Sequence, residues 1–287
     1  MVAFNFPRTI RPAQPRQLAR TSDGDTPVID QPIRMVSIDT PEKQHYAGLP
    51  PTAQVKLDRC RARLQDGTYA ALPDGLRDFL VGRLTADAAE RHIAAGLGAT
   101  AAFEALQDQR LTRPDGGRRR VAVIPTGELI DRYGRLLAYL APWFAGPPGD
   151  PLPPRDAPER RTFNLDMVDS GWAALFLIYP SLPRNDDLNL LLDAAEAAWT
   201  ERRGAWQQGG ETLLLGYEFR ACIKLGVAEL EDPAAAIADA YQRLCVDLRD
   251  LQLVGKFDYF QVPPSQRLWI WEDDLPQAKA DLALPEP

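Results

Sequence analysis

The sequence predicts a mixed α+β protein whose first 206 residues form a small Greek-key barrel of five short strands packed by helices. Two patterns carry that expectation. Short apolar runs at 33–38, 118–125, 136–141 and 175–179 stand between Gly, Pro and Asp turn signals. Longer stretches place apolar residues at helical spacing, above all 186–206, where Leu188, Leu191, Leu192, Ala195, Ala198 and Trp199 share a face.

Taken in order, residues 17–21 lead into Asp23-Gly24-Asp25-Thr26 and a short extended stretch. Residues 33–38 read as one buried strand, with Arg34 facing away from its apolar neighbours, ended sharply by Asp39-Thr40-Pro41-Glu42. Helices are expected at 55–65, 76–84, 86–95 behind a Thr85 cap, and 100–109. A strand follows the Asp115-Gly116-Gly117 turn, another covers 136–141, and six prolines make 146–158 a loop. A short helix at 163–171 and a strand at 175–179 precede the long 186–206 helix. Composition shifts beyond Gly209-Gly210. Residues 207–287 read as a small appended module, with helices near 217–225 and 233–250, beside a 1–206 body that carries a long helical insertion at about 43–99.

Composition narrows the function classes. With 45% apolar and 25% charged residues, the chain can bury a sizeable core. No run of roughly 18 apolar residues appears, so no membrane-spanning helix is expected. Cys60, Cys222 and Cys245 lack disulfide or zinc spacing, and His45 and His92 are the only histidines. Arginines at 8, 11 and 16 have no apolar stretch behind them, so no secretory signal is read and a cytoplasmic location is expected. Residues 207–287 hold 14 Asp/Glu and 7 Lys/Arg, which accounts for the whole net charge of −7 and leaves 1–206 neutral.

Three short pieces hold the chemistry: Asp25 in its turn, Arg34 with Asp39-Thr40-Pro41-Glu42, and Asp131-Arg132-Tyr133-Gly134-Arg135. Each has an ordinary reading, as an Asp-Gly turn, a helix cap or an exposed hairpin corner. If the strands pair, Asp25 and Asp39 converge beside the Thr40 carbonyl. An oxygen-only cage of that kind suits Ca²⁺. Glu42 then lies near the ion's water shell, and two arginines supply forks for a phosphate.

In order and wording, Asp-Gly-Asp-Thr, then Arg-x4-Asp-Thr-Pro-Glu, then Asp-Arg-Tyr-Gly-Arg-x-Leu-Ala-Tyr resemble the thermonuclease family. Val168-Asp169-Ser170-Gly171-Trp172-Ala173, running to Ile178-Tyr179-Pro180, is similar to its last strand, and the helix ending at Arg203-Gly204-Ala205-Trp206 to its closing helix. The resemblance covers about 17–206 and implies a five-stranded OB-fold-like barrel. It implies Ca²⁺-dependent hydrolysis of DNA or RNA, preferring single strands and leaving 3′-phosphate ends. Asp25 and Asp39 would be calcium ligands with the Thr40 carbonyl. Glu42 would orient or deprotonate the attacking water, and Arg34 and Arg135 would hold the scissile phosphate. Arg132, Tyr133 and Tyr179 would contact the rest of the nucleotide.

The hairpin from Asp25 to Arg34 is shorter than the family's, and Pro27 removes one ladder donor. Two other functions remain open: a nucleic-acid-binding barrel with weak catalysis, and a protein-interaction scaffold. The acidic 207–287 segment would fold over a basic groove as a built-in competitor. Smaller signals have plain readings. Arg118-Arg119-Arg120 is a solvated strand edge, Trp199 and Trp206 are core, the Trp269–Trp271 pair docks the tail, and His45 lies on the surface.

Overall fold

Ile33 to Ile38 alternates like a single strand, but Ser37 takes a left-handed φ of 61° and divides it. In the computed structural model, which describes residues 15–144, 146, 149, 151–229 and 231–285, two short strands flank that bend. The arginines at 8 and 11 lie outside the described residues. The chain opens with a hairpin of β1 (Leu18–Asp23) and β2 (Thr26–Ile29), followed by β3 (Ile33–Met35) and β4 (Ile38–Asp39). Four helices follow: α1 (Gln44–Ala47), α2 (Pro50–Gln65), α3 (Asp74–Arg83) and α4 (Ala88–Leu111). Next come β5 (Val121–Ile130), β6 (Leu136–Pro142), α5 (Phe163–Asp169), β7 (Ala174–Leu175) and β8 (Leu177–Ile178). The helices α6 (Asn185–Thr200), α7 (Ala205–Gly209), α8 (Gly216–Val227) and α9 (Pro233–Ala240) lead to β9 (Arg243–Asp247), β10 (Gln252–Gly255), β11 (Arg267–Trp271) and α10 (Leu275–Leu282).

Local chemistry explains the helix starts. Pro50 opens α2, the Thr162 hydroxyl accepts the Leu165 N–H at α5, and Asp232 accepts the Ala235 N–H before Pro233 at α9. Residues 86–109 were expected to break near Gly96 and Gly98, yet α4 runs through both. Each glycine instead permits a close crossing, Gly96 against the Pro41–Glu42 backbone and Gly98 against the Trp172 ring.

The fold is mixed α+β, but the described strands do not close into a five-stranded barrel. They form four small sheets, in the orders β1-β2, β3-β6-β5, β4-β7 and β10-β9-β11-β8. Three causes are visible. The β1-β2 hairpin is exposed on both faces and has no apolar side to bury. The Ser37 bend reduces β4 to two residues, which pair only with β7. The edge of β8 is taken by β11, in parallel, with Leu268 beside Leu177 and Trp269 beside Ile178.

That last pairing also changes the expected role of 207–287. These residues share both main cores with the rest of the chain. Leu57, Cys60, Leu76 and Leu80 of the helical region pack with Phe219, Cys222, Tyr259 and Trp269. Val36, Ile38 and Leu177 pack with Val246, Leu268 and Ile270. The Arg63 guanidinium and the Tyr69 hydroxyl donate to carbonyls at the end of α8. Trp269, expected to dock a tail, is 1% exposed at the centre of a sheet. Residues 243–247, expected as part of a helix reaching 250, form strand β9 instead. Trp206 is buried, while Trp199 is partly exposed and meets it edge-on at 4.8 Å.

Candidate functional site

The Asp39–Glu42 segment is clamped from two sides. On one side α4 approaches so closely that a Cβ on Gly96 would lie 2.6 Å from the Glu42 carbonyl oxygen. On the other, a Cβ on Gly216, the first residue of α8, would lie 2.5 Å from Asp39 Oδ2 and 2.8 Å from the Thr40 carbonyl oxygen. Gly216→Ala is therefore expected to cost about 1–3 kcal/mol through overpacking. A urea midpoint equal to or above the parent's would contradict this.

Asp39 is 4% exposed, and its carboxylate meets two guanidiniums. Arg34 Nη2 donates to Asp39 Oδ1 at 3.1 Å and to the Ile38 carbonyl at 3.1 Å. Arg220, projecting from α8, donates through Nη2 to Asp39 Oδ2 at 2.8 Å and through Nη1 to Oδ1 at 3.2 Å. The same Nη1 reaches Glu42 Oε1 at 2.6 Å. Burial alone would raise the Asp39 pKa, but Arg220 and Arg34 outweigh it and hold the carboxyl below its ordinary value. Burial likewise opposes the charge on Arg220, and Asp39 and Glu42 more than restore it, raising its pKa.

The Glu42 backbone is held by a residue that sequence reasoning missed. Its N–H donates to His92 Nε2 at 2.8 Å, while His92 Nδ1 bonds the Leu214 carbonyl at 2.9 Å. That pairing requires a neutral ring with its proton on Nδ1. The ring stacks on Phe219 at 3.8 Å and 5°. Burial drives the His92 pKa down to about 3. His92 is the histidine inside the helical stretch, and only the packing of α4 against α8 gives it a role.

The remaining expected residues divide between two places. The parallel pairing of β3 and β6 sets Arg34 beside Leu137, which brings the 131–135 turn to the head of β3. In that turn Asp131 accepts from the Tyr133 and Arg135 N–H groups and from Arg135 Nε, with Arg135 Nη2 at 2.7 Å. Tyr133 is 59% exposed, with the Arg132 and Arg135 guanidiniums over its ring at 4.9 and 5.3 Å. Tyr46 of α1 is 38% exposed, its ring meets Phe219 at 6.4 Å, and partial burial raises its pKa. An exposed tyrosine from α1 thus borders the same face.

Asp25 and Tyr179 are elsewhere. Asp25 stands on the exposed turn at the tip of the β1-β2 hairpin and accepts from the Thr26 hydroxyl. Tyr179 is 7% exposed and donates to Asp281, which pushes its pKa up to about 12. The structure therefore gathers Arg34, Asp39 and Glu42, borders them with Arg132, Tyr133 and Arg135, and adds Arg220 and His92.

The donor set as placed does not fit a calcium ion. Asp25 lies on an exposed turn while Asp39 is 4% exposed, α8 crowds the Thr40 carbonyl, and the Asp39 oxygens are engaged by Arg34 and Arg220. Among the described residues, no three His, Cys, Asp or Glu side chains gather to hold a metal. The charged side chain that 207–287 brings to Asp39 and Glu42 is a cation, Arg220.

Among the described residues, no helix is long and apolar enough to cross a membrane. No curated protein matches the chain. A family model described as staphylococcal nuclease homologue matches residues 109–208, about a third of the chain. The match contains Arg132, Tyr133, Arg135 and Tyr179, while Arg34, Asp39 and Glu42 precede it. Its family consists generally of nuclease hydrolases, which points to a nuclease or nucleic-acid-binding function. Over residues 109–208, then, the chain is similar to the staphylococcal nuclease homologue family.

Proposed function

We propose that this protein binds single-stranded nucleic acid through its phosphates, across the face bordered by Arg34, Arg132, Tyr133 and Arg135. The observation that carries this choice over metal-assisted hydrolysis is the Arg220 guanidinium, which bridges Asp39 and Glu42. Arg220 together with Arg34 balances the two carboxylates without a metal ion. The neighbouring arginines then meet an incoming anion with little opposing charge. Tyr133 and Tyr46 offer exposed rings on which any base can stack, so the reading favours strands over duplexes and is tolerant of sequence.

A second reading has its own support. Arg34, Asp39, Glu42 and Arg135 stand in the thermonuclease order, and Glu42 keeps a 27% exposed side chain. On that reading the protein is a Ca²⁺-dependent endonuclease leaving 3′-phosphate ends. Glu42 would act on water, and Arg34 and Arg135 would steady the charge that builds on phosphorus.

One assay separates the two. Fluorescence anisotropy with labelled single-stranded DNA and RNA, run with calcium or with a chelator, reads binding, and gel analysis of the same samples reads cleavage. Binding without cleavage in both conditions is expected. Tyr133→Ala should weaken binding by about 1–3 kcal/mol, the range for one lost stacking platform. Calcium-dependent cleavage that disappears in Glu42→Gln would establish the second reading. Absence of any binding at low salt would sink the first.

A further inference from the structure

Trp199 of α6 and Trp206 of α7, which meet edge-on, both line a cleft of about 250 Å³. Phe79 of α3 and Phe260, from the stretch before β11, line it too, with ring centroids 5.1 Å apart. Phe260 has a fixed seat, because a Cβ on Gly75 would lie 3.0 Å from its Cζ. Four aromatic rings from separate parts of the chain therefore share one opening. None of the residues gathered around Asp39 and Glu42 lines it.

Two guanidiniums border the same space. Arg267, 4% exposed, donates from Nε to the Val262 carbonyl at 2.8 Å and faces Glu218 Oε1 from Nη1 at 3.5 Å. Glu218 also accepts the Leu215 N–H, so this buried pair balances itself. The other acid on the lining, Glu211, is paired with Arg202. Arg83 differs. Its guanidinium is centred 3.7 Å over the Phe79 ring, and its Nη1 donates to the Phe79 carbonyl at 3.3 Å. Among the described residues it makes no ion pair, and its Nε and Nη2 stay available. The lining thus carries one positive charge without a counter-ion, beside four rings.

Those features select a ligand. An apolar cavity of about 150 Å³ holds one benzene ring, so 250 Å³ admits two fused rings. Aromatic walls favour a flat ring through edge-on and offset contacts that a saturated ring does not make. The unbalanced Arg83 favours an anion, and a carboxylate presents the two coplanar oxygens that match the Nε–Nη2 edge of a guanidinium.

We propose that this cleft binds a small planar aromatic carboxylate, its ring packed among Phe79, Phe260, Trp199 and Trp206 and its carboxylate held by Arg83. The site is independent of nucleic-acid binding. Because the cleft is built from α3, α6, α7 and the stretch before β11, its occupant fastens the helical region to the C-terminal segment.

The test uses the full chain and 2-naphthoate, with 2-naphthalenemethanol as the uncharged control and decahydro-2-naphthoate as the saturated one. Titration is followed by NMR on the six tryptophan indole N–H signals, with Trp199→Phe and Trp206→Phe assigning two of them. The expected result is that 2-naphthoate shifts the signals of Trp199 and Trp206, leaves those of Trp143 and Trp271 in place, and raises the thermal midpoint. Each control should bind about tenfold more weakly. Arg83→Met should bring 2-naphthoate down to the affinity of the alcohol and leave the alcohol's own affinity unchanged. Gln261→Trp, at an exposed position on the lining, should block both. Shifts spread over all six signals, no shift, or an Arg83→Met variant that binds 2-naphthoate like the parent would overturn the proposal. Equal binding of 2-naphthoate and either control by the parent would do the same. Should Arg83→Met fail to fold, Gln261→Trp decides, and undiminished binding in that variant removes the site.

Discussion

Arg220→Met is expected to lower stability by about 3–5 kcal/mol, the range for removing one partner of a buried ion pair. The substitution keeps most of the side-chain volume and removes the fork that joins Asp39 to Glu42. Asp39, 4% exposed, would keep only the single 3.1 Å contact from Arg34. Its carboxyl pKa should then climb, because burial is no longer outweighed. Arg220→Lys should recover only part of the loss, since an ammonium cannot make the paired contact to both Asp39 oxygens and still reach Glu42. The decisive measurement is a double-mutant cycle on urea unfolding. With Asp39→Asn, the double variant should be less destabilised than the sum of the single ones. Strict additivity would show that the bridge contributes nothing of its own.

The second large effect is a pH dependence carried by His92. Its folded-state pKa, about 3, lies below the ordinary value of 6.5, so folding favours the neutral ring. The resulting stability is complete above about pH 6.5 and is lost as pH falls toward 3. Between about pH 7.5 and pH 5, with the unfolded chain taking up the proton, the expected loss is about 2 kcal/mol. Protonation would also cancel the Nε2 acceptor that holds the Glu42 N–H, so low pH loosens the site along with the fold. Urea unfolding of the parent and His92→Gln at both pH values checks this. The parent should lose about 2 kcal/mol more than the variant across that interval. An equal loss in both, or a His92 imidazole that titrates near 6.5 in the folded protein by NMR, would refute it.

What the sequence made readable was local. The helices inside 50–65, 74–83 and 216–227 follow from periodicity, proline position and capping. The Arg34-to-Glu42 motif is contiguous, so its three charged side chains could be placed near one another in advance. Asp25 and Asp39 are separated by a hairpin whose course depends on whether it has a core face, and Leu18 and Ile29 remain exposed. Arg220 and His92 lay beyond any short-range signal. One is a charge in an acidic segment and the other a lone histidine in a helix, and each acquires its role from the packing of α4 and α8 around the same four residues. The acidic total of 207–287 misled in the same way, because net charge reports a segment's average and not the side chain it presents. Barrel closure failed at Ser37, where a small residue adopts a conformation that strand alternation does not reveal.

The Arg220–Asp39 bridge spans 181 positions of chain. At synthesis rates of roughly 5–20 residues per second, the N-terminal half of the site waits roughly 10–35 s on the ribosome before its second counter-ion, Arg220, is made. During that interval Asp39 has Arg34 alone as a counter-ion, and residues 39–42 lack the α8 contacts that hold them in their final form. Nascent chains cut short before α8 should therefore be recognised as unfinished by proteases and chaperones.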